Sequence, residues 1–209
     1  KVSRLAIGSD GTQDHKANSI VNSSTVQGLQ DGACYDFDGA NNGYIQSQFT
    51  GTVSIKGISL WFKPSVAIDK DTANQWLIGF DDTTYSPSVV LGSVTTSLTN
   101  EIITLWDGAA KNGYASATDT ISAEWHNVII TYNSTDSRWA IYLDGVRKDN
   151  AYNGTSATSV TAEQILIGAR ADQTGSRFIG QIRDVKLFSE VLDDGEVRKL
   201  YSGENPKKN

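Results

Sequence analysis

Residues 124–145, EWHNVIITYNSTDSRWAIYLDG, constrain the fold of this chain more than any other segment. In the first half, Val128 and Ile130 point to one side while the residues between them point to the other, and the second half alternates in the same way. Residues 133–137 are turn formers that cannot continue either strand. Residues 144–145 are an Asp-Gly pair, which suits a tight turn. The segment therefore predicts a β-hairpin.

Short strands of the same kind recur along the chain, with turn signals at intervals of roughly eight to twelve residues. We expect them at residues 2–7, 33–39, 44–45, 53–64, 76–80, 89–91, 101–106, 164–168, 177–182 and 185–188, with a turn at 107–112. Helix formers are sparse, and five Trp and eight Tyr supply aromatic surface. The pattern predicts an all-β fold in which two antiparallel sheets pack face to face.

One helix is predicted near the carboxyl end of the chain, over residues 193–201. Asp193 or Asp194 can cap its first turn, and Gly203 can end it. Its apolar stripe consists of Val197, Leu200 and Tyr201. The stripe predicts that one side of the helix packs against a sheet.

Charge and length limit the partners of this chain. A formal net charge of −6 over 209 residues argues against nucleic acid, because no basic stripe is present. No apolar run approaches the roughly 18 residues that span a bilayer, so we expect no membrane insertion. Cys34 is the only cysteine, which excludes an intrachain disulfide. Residues 1–209 show no linker or repeat and are expected to form a single domain, excised from a longer protein because no Met is present.

Several short motifs occur in an order that is typical of one protein family. They fall at residues 35–39 with 44–45, 57–64, 124–128 with Tyr132, 141–145, 166–168, 178–182 and 192–201. In this order they resemble the concanavalin A-like lectin/glucanase superfamily, in particular its laminin-G-like and pentraxin-like branch. The resemblance implies a jelly-roll sandwich of two curved antiparallel sheets with one short C-terminal helix.

The resemblance also implies a glycan-binding or adhesive module, often with a bound calcium. Calcium prefers several oxygen ligands, and Asp38 together with Asp184 is the first expected site. Asp81 and Asp82 are a second candidate in a loop. The family often has two adjacent acids where this chain has Arg183 followed by Asp184, so only one of the two remains as an oxygen ligand.

Catalysis is not expected from the residues present. Glucanase members of the family use two carboxylates on alternate positions of one strand. Neither of the sequence patterns that would supply them, E-x-D-x-E and E-x-D-x-x-E, occurs here. The only histidines are His15 and His126, and His126 lies within a strand motif, where a strand-surface residue is expected rather than a general base. Cys34 has no histidine near it in the sequence. We therefore expect no enzyme.

Sugars are held by aromatic stacking together with polar groups that reach their hydroxyls. The expected ligand-binding set lies at predicted loops and strand ends and consists of Trp76, Asp82, Tyr85, Trp106, Asp107, Asn112, Tyr114, Arg170 and Arg177. By contrast, Trp61, Trp125 and Trp139 match framework positions of the family and are expected in the core.

Three classes of function stay open at this stage. The first is a lectin-like module for a glycan or glycoprotein, with its contacts in the loops at 81–87, 107–114 and 169–177. The second is a structural or protein-interaction domain that docks on its parent polypeptide or on neighbouring subunits of an extracellular or virion assembly. The third, a glucanase-type hydrolase, is disfavoured by the missing carboxylate pair. We expect an extracellular, cell-surface or virion-surface location, as part of a larger protein.

Overall fold

The computed structural model describes residues 2–4, 16–17, 34–39, 44–80, 87–92, 99–170 and 177–202. Its strands are Val2–Arg4 (β1), Lys16–Ala17 (β2), Tyr35–Asp38 (β3), Ile45–Ile55 (β4), Gly57–Pro64 (β5), Gln75–Phe80 (β6), Ser88–Leu91 (β7), Glu101–Trp106 (β8), Lys111–Ala115 (β9), His126–Asn133 (β10), Arg138–Leu143 (β11), Val146–Arg147 (β12), Ala151–Asn153 (β13), Val160–Ile167 (β14) and Ile179–Phe188 (β15). A helix, α1, spans Asp194–Tyr201.

The strands form two sheets. The seven-stranded sheet has the order β1, β15, β5, β10, β11, β12, and β3 also pairs with β15. The eight-stranded sheet has the order β13, β9, β8, β7, β6, β14, β4, β2. Strand pairs within both sheets are antiparallel except that of β2 with β4, which is parallel. The predicted all-β jelly-roll sandwich with a short C-terminal helix is confirmed.

The inner faces of the two sheets enclose one apolar core. Trp139, Phe62 and Phe80 are among its largest fully buried side chains. The indole Nε1–H of Trp139 donates to the carbonyl oxygen of Ala157 at 3.0 Å, so its polar atom is satisfied. Replacing such a ring with alanine typically costs about 3–5 kcal/mol, and the core is therefore the main source of stability.

The predicted hairpin is confirmed as β10 and β11. Its register pairs Val128 with Leu143 and Asn133 with Arg138. Asp144 and Gly145 then turn the chain into β12 with φ angles of 51° and 76°. Two successive positive φ angles define the tight turn that an Asp-Gly pair favours, because they match the twist of the flanking strands.

Two strand predictions are wrong in their boundaries. Residues 53–64 belong to two strands in different sheets, and the chain passes between the sheets at Lys56, whose N–H donates to the Phe188 carbonyl oxygen at 2.8 Å. Residues 177–182 and 185–188, predicted as separate strands, mostly belong to β15. The register of β15 with β5 shifts between Arg183 and Lys186, which is a β-bulge. Alternation in a sequence does not record which sheet a strand joins.

The helix prediction is confirmed, with Asp193 as its cap. The Asp193 carboxylate accepts the Glu196 N–H at 2.8 Å, and the Glu196 carboxylate accepts the Asp193 N–H at 3.0 Å. Val197 and Leu200 pack against the outer side of β10 and β11, where they form a second apolar cluster with Ile129 and its neighbours. No helix within the described ranges is long and apolar enough to cross a membrane.

Candidate functional site

The outer face of the eight-stranded sheet carries two of the predicted ligand-binding tryptophans. Trp76 of β6 lies beside Val90 of β7, and Trp106 of β8 lies beside Ser88 of β7. Val89, between those two β7 residues, belongs to the core, so positions 88 and 90 point away from it. Two strand spacings, about 10 Å, separate the two tryptophans across the sheet. This surface, the tryptophan face, consists of Trp76, Ser88, Val90, Thr104, Trp106 and Lys111.

Two hydroxyl groups are buried on the tryptophan face without a hydrogen bond. Ser88 and Thr104 are each 1% exposed, and neither hydroxyl oxygen has a partner among the described residues. Their neighbours across the sheet are Gly79, beside Ser88, and Gly113, beside Thr104, which add no side chain to this face. Burying an unpaired polar group costs about 1–3 kcal/mol, so nearly all such groups have partners in native proteins. Because both side chains are 1% exposed, a ligand on this face can bond to their hydroxyls only if the groups that cover them move aside.

Cationic side chains lie against the two rings. The Lys111 Nζ is 5.4 Å from the centroid of the Trp106 ring, and the Arg170 Cζ is 5.6 Å from that of Trp76. A single parallel backbone bridge joins Trp76 to Arg177. Cations over indole rings are attracted by the ring quadrupole, which fixes their position. The face thus combines flat apolar rings with hydrogen-bond donors, a combination that suits a polyhydroxylated ligand.

Trp106 is the more accessible of the two rings. It is partly exposed, whereas Trp76 is 4% exposed. The guanidinium of Arg170 stands over Trp76, so a ligand reaches that ring only if Arg170 moves aside. A ligand therefore meets Trp106 first.

Asp107, predicted as a ligand contact, stabilises a turn. One carboxylate oxygen accepts the N–H groups of Ala109 and Ala110 at 2.8 and 2.7 Å, and the other accepts the Ala157 N–H at 3.0 Å. The turn ends there, because β9 begins at Lys111. The prediction of a turn over residues 107–112 was therefore too long.

Asn112 lies on the core side of β9 and not on the tryptophan face. It is 1% exposed, and its amide oxygen accepts the Trp139 N–H at 3.2 Å and the Ser156 hydroxyl at 3.0 Å. Trp139 belongs to the other sheet, so Asn112 joins the two layers of the sandwich. The structure gives this side chain a structural contact.

Tyr114 also points into the sandwich. It belongs to the core, is 4% exposed, and donates its hydroxyl to the Asp119 carboxylate. Burial raises the pKa of the Tyr114 hydroxyl above its usual range, and the hydrogen bond to Asp119 raises it further. The same bond lowers the pKa of the Asp119 carboxyl. Through its hydrogen bond to Asp119, Tyr114 thus stabilises the loop after β9.

Two members of the predicted set, Asp82 and Tyr85, lie outside the described residues, as does Asp81. Most of the loop at 81–87 and most of the loop at 169–177 also fall outside them. The predicted set therefore divides in two. Trp76 and Trp106 lie on the tryptophan face with Arg170 over the Trp76 ring, while Asp107, Asn112 and Tyr114 support the scaffold. Arg177 is bridged to Trp76 through the backbone, but its guanidinium lies over Tyr44, 5.1 Å from the ring centroid.

The predicted calcium pair does not come together. Asp38 of β3 lies opposite Ile179 of β15, and Asp184 lies five residues farther along β15. That separation is about 16 Å along an extended strand, whereas calcium–oxygen bonds are about 2.4 Å long. Within the described ranges, no three His, Cys, Asp or Glu side chains cluster closely enough to hold a metal ion. Asp38 and Asp184 therefore do not fit a shared calcium.

His126 fastens the end of the hairpin. Its Nδ1 lies 2.6 Å from Asp144 Oδ2, and its Nε2 lies 3.0 Å from Ser122 Oγ. This order of groups occurs in hydrolase triads, but the same Nε2 also lies 3.2 Å from the Ser122 carbonyl oxygen. The second oxygen of Asp144 accepts the Asn127 N–H at 2.8 Å. Because all these bonds join one loop, β10 and the turn after β11, we assign them a structural role.

The prediction that three tryptophans lie in the core is correct for Trp139 alone. Trp139 is 0% exposed, whereas Trp61 and Trp125 are both partly exposed. Trp61 shares a β5 face with Ser59, while Leu60 and Phe62 on the opposite face fill the core. Framework motifs identify a position in the fold but not its depth of burial.

Sequence reasoning missed Ser88, Thr104 and Lys111 as members of the face. The available signal was the alternation in β8, which puts Thr104 and Trp106 on the same side. Ser88 and Lys111 could not be placed without the register of β7, β8 and β9.

Comparisons with known proteins agree with this architecture. A curated relative, the Sushi, von Willebrand factor type A, EGF and pentraxin domain-containing protein 1 of Rattus norvegicus, is 28% identical over 85 residues, or 37% of this chain and 2% of that protein. The pentraxin fusion protein of Xenopus laevis is 26% identical over 87 residues, or 39% of this chain and 21% of that protein. The chain therefore matches a small part of these relatives.

Among solved structures, the binding domain of botulinum neurotoxin serotype G has a similar fold. It is 15% identical, with a TM-score of 0.51, and the match covers 81% of this chain and 42% of that one. Residues 37–198 match the model of a laminin-G family. The sandwich topology and this match together show that the chain belongs to the concanavalin A-like lectin/glucanases superfamily.

Proposed function

We propose that this chain is a non-catalytic carbohydrate-binding module whose ligand lies on the tryptophan face. The observation that carries the proposal is a pair of buried, unbonded hydroxyls on the same face as the two tryptophans: Ser88 lies beside Trp106, and Thr104 lies across Val90 from Trp76. A sugar presents C–H groups on its faces and hydroxyls around its edge. It therefore needs aromatic rings and hydrogen-bonding groups on one surface.

Each group on the face has a role in this proposal. Trp106 stacks on the first sugar ring, because it is the exposed ring of the pair. Ser88 and Thr104 exchange hydrogen bonds with sugar hydroxyls, since a hydroxyl both donates and accepts. Lys111 and Arg170, which lie over the two indoles, move aside when the sugar stacks and donate to its edge.

Binding without hydrolysis follows from the carboxylates near the face. Hydrolysis of a glycosidic bond uses two carboxyl groups that flank it, about 5 to 9 Å apart. Among the described residues of β6 to β9, Glu101 is the only acid, and it is 0% exposed. Asp107, just beyond β8, uses both oxygens to hold its turn. The proposal therefore involves no bond cleavage.

The proposal involves no calcium shared by Asp38 and Asp184, because their positions on β3 and β15 are too far apart. We further infer that the module belongs to a larger secreted or surface protein, which is an extracellular, cell-surface or virion location. Support comes from the named relatives, of which the matched segment is 2% and 21%.

A glycan array probed with the wild-type chain and with Trp106→Ala tests the proposal. The matched control is Tyr152→Ala, which removes a 39% exposed aromatic residue whose register partner, Asn112, lies on the core side of β9. Thermal melting of each variant checks that the fold is intact. A parallel array in the presence of a calcium chelator tests whether glycan binding needs calcium.

We expect wild type and Tyr152→Ala to bind the same glycans, with or without the chelator, and Trp106→Ala to lose them. A stacked ring is worth about 0.5–1.5 kcal/mol beyond its buried area, so the loss should be about tenfold or more. Equal signals from Trp106→Ala and wild type would contradict the proposal. A wild-type chain that binds no glycan would favour a protein-interaction domain of a larger assembly instead.

A further inference from the structure

Arg183 lies between two tryptophans on the outer face of the seven-stranded sheet. Its guanidinium carbon is 4.5 Å from the ring centroid of Trp125 and 5.4 Å from that of Trp61. The register places Arg183 directly beside Trp61, which is itself beside Asn127. The β-bulge that begins at Arg183 is followed by Asp184 with a φ of 52°. This surface, the arginine site, is defined by Trp61, Trp125, Arg183 and Tyr201.

Arg183 has no carboxylate partner among the described residues, although the chain has a net charge of −6. Asp184, the next residue in the chain, is exposed and forms no ion pair with Arg183, and two other nearby acids are engaged elsewhere. Glu124 pairs with Lys63 at 3.8 Å, and Asp36 accepts a hydrogen bond from Gln181 at 2.6 Å. The Arg183 Nε is buried and makes no hydrogen bond in the described part of the chain, although the residue as a whole is partly exposed.

The two rings restrict what can approach this cation. With the guanidinium of Arg183 close to two indole rings, the edge of its plane is where its N–H groups are offered to a ligand. That edge holds parallel N–H donors whose spacing matches the two oxygens of a carboxylate. A partner at this edge therefore carries an anionic group that presents two oxygens, as a carboxylate does.

An aromatic platform adjoins the guanidinium. Tyr201, at the end of α1, stacks on Trp61 with ring centroids 5.9 Å apart and an angle of 16° between the planes. Tyr201 is 40% exposed, and both tryptophans are partly exposed. Gly145 lies against Tyr201, where a side-chain carbon would come within 2.8 Å of its ring, so the ring is held in place. A rigid aromatic surface beside a carboxylate-binding group suits a sugar ring that bears a carboxylate.

We propose that the arginine site binds an acidic sugar residue, whose carboxylate pairs with Arg183 and whose ring lies against the exposed aromatic surface of Trp61 and Tyr201. The site is on the opposite sheet from the tryptophan face and does not depend on it. Nothing transfers or breaks in this interaction.

The test measures binding of methyl β-glucuronide, methyl β-glucoside, acetate and inorganic sulfate by NMR titration. Proteins are the wild type, Arg183→Gln, Arg183→Lys, and the control Arg198→Gln, which removes an exposed arginine from the last turn of α1. Glucoside lacks the anion, acetate lacks the ring, and sulfate is an anion without the planar two-oxygen shape. The indole N–H signals of Trp61 and Trp125 locate the ligand.

We expect the glucuronide to bind wild type and Arg198→Gln and to shift both indole signals. The affinity should fall about tenfold or more in Arg183→Gln, since a charge-assisted hydrogen bond is lost. Arg183→Lys should fall by a similar factor, because an ammonium can neither stack nor bind in a fork. The glucoside, acetate and sulfate should all bind at least about tenfold more weakly than the glucuronide.

Four results would overturn the proposal. The first is undetectable glucuronide binding to wild type. The second is equal affinity for glucuronide in wild type and Arg183→Gln. The third is equal affinity for glucuronide and for acetate or sulfate, which would show a site for any anion. The fourth is glucuronide binding to wild type that leaves the indole N–H signals of Trp61 and Trp125 unshifted. This result needs no variant, so it tests the proposal even if the Arg183 variants do not fold. None of these results depends on whether the tryptophan face binds a neutral glycan.

Discussion

The outer faces of the two sheets differ in what covers them. On the seven-stranded sheet, α1 covers β10 and β11 with Val197 and Leu200, which seal an apolar cluster around Ile129 and Tyr142. On the eight-stranded sheet, the outer face contains partly exposed Trp106 and buried hydroxyls that have no partner in the described residues. The outer face of the seven-stranded sheet is covered by the protein's own helix. The outer face of the eight-stranded sheet has an aromatic ring that is partly exposed and polar groups that make no hydrogen bond in the described residues.

This difference between the two outer faces suggests that one contributes mainly to stability and the other to ligand binding. A sealed apolar cluster lowers the free energy of the fold by removing apolar area from water, about 25 cal/mol for each Å². Buried hydroxyls without partners raise it, and native proteins keep such costs mainly at functional sites. The comparison predicts that substitutions on the helix-covered face reduce stability, while substitutions on the tryptophan face reduce binding.

The largest expected effect on stability is that of Leu200→Ala on the helix-covered face. Leu200 is 2% exposed, and truncating a buried leucine costs about 2–5 kcal/mol through lost burial and the remaining cavity. Urea unfolding measures the free-energy change. Lys199→Ala, an exposed neighbour on the same helix, is the control and should change stability by less than about 0.5 kcal/mol. Similar values for both variants would mean that the helix does not seal this face.

The double variant Ser88→Ala with Thr104→Val sharpens the comparison, because binding and stability should move in opposite directions. Removing two unpaired hydroxyls should raise the free energy of unfolding by on the order of 1 kcal/mol. Affinity for the glycan found on the array should fall by roughly tenfold, since two hydrogen bonds to the ligand are lost.

Ser156→Ala is the matched control for that double variant. Ser156 is 8% exposed and its hydroxyl donates to Asn112 at 3.0 Å, so its removal should destabilise the protein by about 1 kcal/mol and leave binding unchanged. If the double variant is destabilised as much as Ser156→Ala and still binds the glycan, the hydroxyls have partners within the protein.

Loss of the helix cap should have a smaller effect, again on stability alone. Asp193→Ala removes the bond from the Glu196 N–H to the Asp193 carboxylate, at a cost of about 1 kcal/mol, while the backbone N–H of residue 193 can still donate to Glu196. Asp193→Asn should retain most of the stability, because an asparagine side chain also accepts the N–H bond. Urea unfolding of the two variants decides this, and an equal loss in both would show that charge rather than capping is responsible.

The smallest effect concerns pH and the contact between the helix and β11. Burial, and then the hydrogen bond to Asp194, raise the pKa of Tyr142 to about 12. The ordinary tyrosine pKa is about 10, so the unfolded chain releases this proton first as pH rises. The contribution to stability is therefore complete below about pH 10 and declines between about pH 10 and 12.

Unfolding in urea at pH 9 and pH 11 measures this decline. Wild type should lose more stability between the two values than Tyr142→Phe, which has no proton to release at this position. An equal loss in both proteins would mean that the Tyr142 hydroxyl is not held by Asp194.

Local patterns were sufficient to predict the hairpin and the helix. Alternation, an Asp-Gly turn and a capping aspartate all act within a few residues, so residues 124–145 and α1 could be predicted without the rest of the fold. The assignment of β4 and β5 to different sheets could not, because nothing in their alternation distinguishes one sheet from the other.

Sites depend on register between distant strands, which explains the uneven outcome for the predicted residues. Trp76 and Trp106 share a face because β7 lies between their strands, and Asn112 points away because it follows Lys111 on β9. Asp38 and Asp184 are about 16 Å apart because β3 pairs with the beginning of β15. None of these relations is encoded within one segment of the sequence.

The most direct measurement of the central claim uses the five tryptophans as position markers. Their indole N–H signals, assigned by single Trp→Phe variants, are followed by NMR while a neutral glycan from the array is titrated. The five residues are Trp61, Trp76, Trp106, Trp125 and Trp139. Our account predicts that the Trp106 and Trp76 signals shift and saturate together, while the buried Trp139 signal stays fixed. Shifts confined to Trp61 and Trp125, with Trp106 and Trp76 unmoved, would contradict it.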